Sequence, residues 1–349
     1  MTQLKSEFNM SKVSDTGCEI TCSLCGSNGS VMYKKIQDSL YHVPGQWGLN
    51  RCNNKSCGLV WLTPIPLADD IPGFYKTYYT HNMDEKRSHR NKDEGLKDLF
   101  VPWKRSALGM MFDYPELTGS QRLTVIARIL GVSRSRKERL GHRIMWLNGN
   151  GMLLRIMNQL GWQGVGFEPD KNAARVGRNA YDLTIYENSI KEIAELEDRF
   201  NVITMSHVIE HLLDPVVTLR ECARLLEKDG RVVIVTPNFD SLGRLIFQES
   251  WRGLEPPRHI HIFTKESLAK CLRLSGFEVE HIWASTYSAK SMYRRSRVIQ
   301  RTGTLGRNDT KNPAKYAKRG SRLFSLVERI GNYFKPLGEE VIIIARKPG

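Results

Sequence analysis

Four cysteines near the amino-terminal end of the chain are spaced as metal ligands. They form two pairs, Cys22-Ser-Leu-Cys25 and Cys52-Asn-Asn-Lys-Ser-Cys57, and a glycine follows each pair. A loop of two to four residues brings two thiolates to one tetrahedral ion, and the glycine lets the backbone turn back beneath the metal. The pattern predicts a zinc ribbon over 17–65. Its zinc is structural, because four thiolates leave no open coordination position for water.

The other three cysteines have different expected roles. Cys18 is either a substitute ligand or a free thiol. Cys222 and Cys271 lie on apolar faces of expected helices, where cysteine packs as a small buried side chain.

Four histidines in the second half of the chain could take a proton from a substrate, because imidazole has an unperturbed pKa of about 6.5. His207 and His211 follow an apolar strand, and His259 and His261 follow Pro256-Pro257-Arg258. We expect His207 or His259 to be the base and His261 to lie beside the substrate. Arg258 is expected to pair with a substrate phosphate or carboxylate.

The order His207-Val208-Ile209-Glu210-His211 leaves two alternatives open. It matches the H-x-x-E-H motif of an inverted zinc protease. That motif needs both histidines on one helix, whereas here it follows a strand directly and Asp214-Pro215 starts a new helix. The other alternative is a divalent ion on Glu210 and His211 that polarises a substrate hydroxyl.

The elements that must position these residues alternate between short apolar strands and helices from about residue 143 onward. The pattern predicts strands at 144–147, 165–167, 183–186, 200–205 and 231–235, and helices at 152–160, 171–179, 215–227 and 265–275. This alternation is typical of a doubly wound, mostly parallel α/β sheet of seven strands. The last two strands, 277–284 and 340–345, are expected to form an antiparallel hairpin at the sheet edge.

A ligand site is indicated at the carboxyl ends of the first two strands. The turn Asn148-Gly149-Asn150-Gly151 follows the first strand, and Glu168 ends the second, 17 residues beyond Gly151. A glycine turn lets a ligand approach the backbone, and an acid at that position can accept two ribose hydroxyls. We therefore expect a nucleoside ligand here.

The segment 143–285 resembles the class I S-adenosylmethionine-dependent methyltransferases. Two long stretches carry most of the resemblance beside the glycine turn and Gly166-Phe167-Glu168-Pro169-Asp170. They are Ser206-His207-Val208-Ile209-Glu210-His211-Leu212-Leu213-Asp214-Pro215 and Trp251-Arg252-Gly253-Leu254-Glu255-Pro256-Pro257-Arg258-His259-Ile260-His261-Ile262-Phe263-Thr264. With the ribbon and Gly58-Leu59-Val60-Trp61-Leu62-Thr63-Pro64, the chain is similar to methyltransferases encoded with bacterial surface-polysaccharide and sugar-modification genes.

The resemblance implies a Rossmann-like fold, S-adenosylmethionine as cofactor and a set of binding residues. Gly149 and Gly151 would line the methionine part of the cofactor, and Glu168 would hold its ribose. Ser189 would lie near the adenine, and Met205, Ser206 and His207 would border the sulfonium. Where the family's first loop has an acid and a first glycine, this chain has Met145 and Leu147, and Asn148 would replace part of the missing polarity.

The implied activity is methyl transfer to a small-molecule or glycan acceptor, a sugar linked to a nucleotide or a lipid, with a histidine assisting deprotonation. An RNA-modifying methyltransferase is an alternative, because a ribbon accompanies a net charge of +15. The altered first loop favours a third interpretation, a non-catalytic methyltransferase-like binding protein.

The positive charge is concentrated in one segment. Residues 290–322 contain eleven cations and one acid, so they carry +10 of the net +15. We interpret 286–338 as a basic surface excursion, partly flexible, that could contact an anionic membrane surface or another phosphate-bearing partner. A helix over 321–334 has an apolar face, and packing of that face on the sheet edge is favoured over membrane contact.

Length and composition set the remaining expectations. The 349 residues, 40% of them hydrophobic, suit two folded units and exclude a disordered tail protein. We expect a tail over 1–16, the ribbon, a helical linker or insertion over 66–141, and the methyltransferase domain over 142–349. The first twenty residues lack the apolar core of a signal peptide, and the chain has no apolar run of the ~18 residues that span a bilayer. We therefore expect a cytoplasmic location, either free or peripheral at the inner membrane face.

Overall fold

The structure is a computed structural model that describes residues 21–75, 143–147, 154, 157–158, 162–168, 171–187, 199–306 and 318–349. Several expectations fall outside these residues. They concern the tail 1–16, Cys18, the linker beyond residue 75, the turn at Asn148, Gly149 and Gly151, and Ser189.

A four-stranded antiparallel sheet contains the paired cysteines. Three of its strands are consecutive: β1 (Gly29–Ile36), β2 (Trp47–Cys52) and β3 (Val60–Thr63). The fourth, β9 (His261–Ile262), comes from the second half of the chain and pairs with β3 so that Trp61 faces His261. A short helix, α1 (Ile71–Phe74), follows this sheet. The ribbon region therefore shares its sheet with the segment that carries the second pair of candidate histidines.

The seven-stranded sheet confirms the predicted doubly wound α/β fold. Its strands are β4 (Arg143–Leu147), β5 (Gln163–Phe167), β6 (Thr184–Tyr186), β7 (Phe200–Ser206), β8 (Leu226–Pro237), β10 (Glu278–Ser285) and β11 (Glu340–Arg346). They lie in the order β10-β11-β8-β7-β4-β5-β6, and β11 alone runs antiparallel to its neighbours β8 and β10. The last two strands thus pair antiparallel as expected, but β11 lies inside the sheet and β10 forms the edge.

Three helices lie where the periodicity predicts them: α2 (Lys171–Tyr181), α3 (Pro215–Leu225) and α5 (Lys265–Leu274). A further short helix, α4 (Leu242–Phe247), was not predicted. The Asp214 side chain caps α3 by accepting from the Val217 N–H, and Thr264 caps α5 by accepting from the Ser267 N–H. The α3 helix ends at Leu225, two residues before the predicted end, because Leu226 already belongs to β8.

One hydrophobic core joins the ribbon to the large sheet. Leu24, Leu59 and Trp61 from the ribbon pack in the same cluster as Phe200 and Phe263. Cys222 and Cys271 are buried there too, as the helix patterns predict. Burial of this much apolar surface between the two units makes independent movement of the ribbon unfavourable.

The described part of the basic segment is helical. It forms α6 (Ala289–Thr302) and α7 (Lys318–Phe334), which pack together through the Tyr293 and Phe324 rings, 5.1 Å apart. The helix expected over 321–334 is therefore present, whereas α6 was not predicted. None of the helices in the described ranges combines the length and apolar character that crossing a bilayer requires.

Candidate functional site

The carboxyl ends of three neighbouring parallel strands lie level with one another. Leu147 at the end of β4 is in register with Phe167 of β5 on one side and Met205 of β7 on the other. Glu168 and Ser206 are the next residues of those two strands, so they flank the point where the chain leaves β4. The chain order reverses here, with β5 and β6 on one side of β4 and β7 and β8 on the other, which makes this edge the topological switch point where α/β sheets bind ligands.

Glu168 occupies a buried position at this edge. It is 8% exposed, and its N–H donates to the Tyr186 carbonyl oxygen at 3.0 Å. The preceding Phe167 stacks on Tyr186, with ring centroids 5.1 Å apart. These contacts fix the backbone that carries the carboxylate. Met205 and Met145 are buried in the core beneath, whereas Ser206 is half-buried at the surface of the edge.

His207 follows β7 in a left-handed backbone conformation, with φ of 55°. A non-glycine residue in this region is held by its surroundings, and such positions cluster at functional sites. The His207 ring lies between two carboxylates: Nδ1 is 3.3 Å from Glu210 and Nε2 is 3.4 Å from Glu340. Burial opposes charge on the imidazole, but the two carboxylates outweigh it and raise the pKa of His207. An imidazolium has no free lone pair, so this charge state disfavours His207 as the base.

Glu210 is the fully buried carboxylate at the centre of the cluster. Its second oxygen accepts from the Thr236 hydroxyl at 2.9 Å. Burial works against the charged form, but the hydrogen bond from His207 and the positive charge of that ring lower the pKa of Glu210 to about 2. The carboxylate is therefore ionised at neutral pH and balances the charge on His207.

His259 and His211 form the opposite side of the cluster, with ring centroids 4.8 Å apart in an edge-on arrangement. His259 Nδ1 lies 2.8 Å from the Gly253 carbonyl and His211 Nδ1 lies 2.9 Å from the Arg258 carbonyl. A carbonyl oxygen only accepts, so Nδ1 of each ring carries a proton. Burial lowers the pKa of His259 to about 4, which keeps it neutral.

The two histidines differ in their access to a ligand. His259 is 4% exposed, and its Nε2 faces Glu255 at 3.6 Å. His211 is half-buried, and the Tyr75 hydroxyl lies 3.2 Å from its Nδ1. Tyr75 was not expected at the site, because it lies 136 positions away along the chain, at the end of α1.

Arg258 holds the ribbon to this cluster. Two of its guanidinium nitrogens donate to the two oxygens of Asp38, at 2.9 and 2.7 Å, and Nε donates to Glu255 at 3.0 Å. The side chains of Arg258 and Asp38 are both 0% exposed. All three nitrogens have buried partners, so Arg258 pairs with Asp38 and Glu255 in this structure, and its pairing with an acceptor phosphate stays a prediction.

His261 belongs to a backbone ladder rather than to the open edge. Its Nδ1 donates to the Leu212 carbonyl at 3.1 Å, and burial lowers its pKa to about 4. The Ile260 N–H donates to the Glu210 carbonyl at 2.8 Å. Together with the His211 contact to Arg258, these bonds hold 258–261 along 210–212 as one wall of the site.

Glu210, His211 and His259 also offer ligand atoms within 4.8 Å of one another, the spacing of a metal group. The negative charge of Glu210 is already balanced by His207, so the cluster does not need an ion for neutrality. Ile209–His211 is a single 3₁₀ turn, which does not supply the helix that the protease motif requires.

The four paired cysteines converge. Sγ of Cys22 lies 3.7 Å from that of Cys57, and Sγ of Cys25 lies 3.4 Å from that of Cys52. Four thiolates at about 2.3 Å from a tetrahedral zinc would be ~3.8 Å apart, so the group fits that ion. The glycines after the pairs, Gly26 and Gly58, have φ of 69° and 65°, which confirms the predicted turns.

The strand order and the level carboxyl edge define a doubly wound α/β domain, and its switch point is where such sheets bind ligands. Residues 148–282 match the family model described as a methyltransferase domain. This segment is thus a methyltransferase domain.

Curated relatives share this part of the chain. A ubiquinone biosynthesis O-methyltransferase of Bradyrhizobium diazoefficiens is 31% identical over 94 residues, which is 26% of this chain and 37% of that protein. The corresponding enzyme of Thiobacillus denitrificans is 28% identical over 156 residues, 40% of this chain and 66% of that protein. The chain spans less than half the length of the first curated relatives it matches.

Among solved structures, an S-adenosylmethionine-dependent methyltransferase from Archaeoglobus fulgidus aligns with a TM-score of 0.41 and 18% identity, covering 65% of this chain and all of that one. A Haemonchus contortus phosphoethanolamine N-methyltransferase aligns with a TM-score of 0.43 and 16% identity, covering 74% of this chain and 60% of that chain.

Proposed function

We propose that this protein transfers a methyl group from S-adenosylmethionine to a small-molecule or glycan acceptor, a sugar linked to a nucleotide or a lipid. The observation that carries the proposal is the level carboxyl edge of β4, β5 and β7, with the buried Glu168 carboxylate beside it. The methyltransferase-domain match over 148–282 supports the same cofactor.

The residues of this edge suit the cofactor's ribose and sulfonium. Glu168 would accept the two ribose hydroxyls, and Ser206 would border the reacting centre; Asn148, Gly149, Gly151 and Ser189 complete the proposed site from outside the described residues. When bound, the cofactor supplies an already activated methyl group. The chain then has to align the acceptor and remove its proton.

For the base we propose His211, with His259 behind it. His211 is half-buried and can be reached by an acceptor, whereas His259 is almost fully enclosed. The Arg258 carbonyl fixes the His211 tautomer, and His207 holds Glu210 in its ionised form. We further propose a structural zinc on the four paired cysteines.

Calorimetric titration with S-adenosylmethionine tests the cofactor assignment. Glu168→Gln is expected to weaken binding by about tenfold or more, because one charge-assisted hydrogen bond contributes about 1.5–3 kcal/mol. Glu187→Gln is the matched control, since Glu187 follows the next parallel strand and pairs with Arg178. Folded, zinc-loaded protein that binds no cofactor at millimolar concentration would refute the proposal.

Transfer is tested with methyl-labelled cofactor and a panel of nucleotide-linked and lipid-linked sugars, with RNA as a comparator. Label in a sugar is the expected result, and label in RNA alone would overturn the acceptor class. His211→Asn should lower kcat and change its pH profile while cofactor binding is retained. His281→Asn, at an exposed position of β10, is the control. Cofactor binding without transfer to any acceptor would favour the non-catalytic interpretation.

A further inference from the structure

Helix α7 turns most of its large apolar side chains towards solvent and a mostly polar face towards the protein. Its inner face carries Ser321, Phe324, Ser325 and Glu328, all buried. Its outer face carries six large apolar residues that are between 48% and 84% exposed: Leu323, Leu326, Val327, Ile330, Tyr333 and Phe334. At about 100° per residue these six fall within an arc of ~120°, so they form one continuous stripe. The expectation that this face packs on the sheet edge is therefore wrong.

The inner face is fixed by specific contacts, which excludes a simple rotation of α7. The Arg294 Nε of α6 donates to the Ser321 hydroxyl at 3.1 Å, and the Phe324 ring contacts both Tyr293 and Phe247. Asn332 donates to the Ala284 carbonyl at 3.0 Å. These bonds hold the apolar stripe outward.

The charges beside the stripe have one sign. Arg319, Arg322, Arg329 and Lys335 are exposed along α7 and just after it. The acid of this helix, Glu328, is buried near Glu339, and burial together with that neighbour raises the pKa of Glu328 to about 9. The helix therefore presents four cations and an apolar stripe, with no ionised acid of its own at neutral pH.

We propose that α7 lies in the headgroup region of an anionic membrane, with the stripe 323–334 in the acyl boundary and the cations on lipid phosphates. A large apolar face with flanking Arg and Lys is the pattern of interfacial helices, and exposed Tyr and Phe at one end suit the interface. A second copy docked on this face would bring like charges together, and nucleic acid would leave the stripe in water. The inference goes beyond the proposed methyl transfer and does not depend on it.

Flotation of the full-length, zinc-loaded chain with vesicles tests the proposal. Vesicles of mixed phosphatidylglycerol and phosphatidylcholine should bind the protein, and vesicles of phosphatidylcholine alone should bind it much less. Leu323→Ser with Ile330→Ser should abolish binding. The control Val217→Ser with Leu274→Ser removes aliphatic side chains of similar exposure from α3 and α5 and should leave binding unchanged.

Charge variants test the contribution of the cations separately from that of the apolar stripe. Arg322→Gln with Arg329→Gln should weaken binding to anionic vesicles by about 25-fold, since each cation near such a surface contributes about fivefold. The substituted side chains are exposed, so unfolding temperatures should stay the same. Equal binding to both vesicle types, or a dimer that the Leu323/Ile330 variant dissociates, would overturn the proposal. A lowered unfolding temperature in that variant without vesicle binding would also overturn it, because the stripe would then be covered by the chain itself.

Discussion

The pair formed by Asp38 and Arg258 should be among the most costly in the molecule to break. Both side chains are 0% exposed, and two charge-assisted hydrogen bonds of 2.9 and 2.7 Å join them. Asp38→Asn removes one charge and leaves the guanidinium cation buried with Glu255 as its remaining anion. Removing one partner of a buried pair costs about 3–5 kcal/mol, because the other charge stays desolvated. Urea denaturation at pH 7 measures this loss.

An exposed pair in the same chain supplies the matched control. Asp229 is 52% exposed and pairs with Arg346, so Asp229→Asn should cost no more than about 1 kcal/mol. The double variant Asp38→Asn with Arg258→Gln should be less destabilised than the sum of its parts, since neither charge is then left unpaired. The reasoning is refuted if Asp38→Asn is as mild as Asp229→Asn. If it instead raises only the KM for an acceptor, Arg258 has the substrate role expected from the sequence.

Three further predictions concern the cysteines and two glutamates. Cys25→Ser should abolish stoichiometric zinc binding in a colorimetric release assay, whereas Cys222→Ser should leave it unchanged, because Cys222 is buried in α3. Folded-state burial raises the pKa of Glu328 above its unfolded value, so stability should fall as pH rises from about 4.5 towards 9. Glu328→Gln should flatten that slope in unfolding experiments, and an unchanged slope would contradict it. Glu340→Gln removes one of the two carboxylates beside His207 and should lower the pKa of His207, which is measured from the NMR shifts of the ring protons against pH. An unchanged pKa would show that Glu340 does not stabilise the positive charge on His207.

Local patterns predicted the sheet and its connections because they depend on residues close in sequence. Strand and helix positions follow from apolar periodicity, and caps such as Thr264 act within three residues. The turns at Gly26 and Gly58 are likewise local, because the positive φ of each glycine depends on the short cysteine loop that it follows. Glu168 could be placed at the ligand edge because one parallel strand ends there.

The features that the sequence did not predict depend on contacts between residues that are far apart along the chain. Arg258 looked available for an acceptor phosphate, but its partner Asp38 lies 220 positions away. The sequence favoured His207 as the base, but Glu340 of the last strand lies 3.4 Å from its Nε2. The outward face of α7 has the same origin: periodicity gives the stripe but not the side on which α6 packs. Each of these depends on contacts between distant segments, which no local pattern encodes.

Three contacts join the ribbon to the wall that 258–261 and 210–212 form. β9 completes the ribbon sheet, Thr264 at the start of α5 donates to the Cys57 carbonyl at 3.1 Å, and Arg258 is locked to Asp38. Every one of these ties acts on 258–264, the segment that positions His211 and His259, and none acts on the carboxyl ends of β4 and β5. We therefore expect Cys25→Ser to disturb 258–264 more than it disturbs Glu168. If the proposed zinc site and the proposed methyl transfer are correct, this variant should lose methyl transfer to a greater extent than cofactor binding.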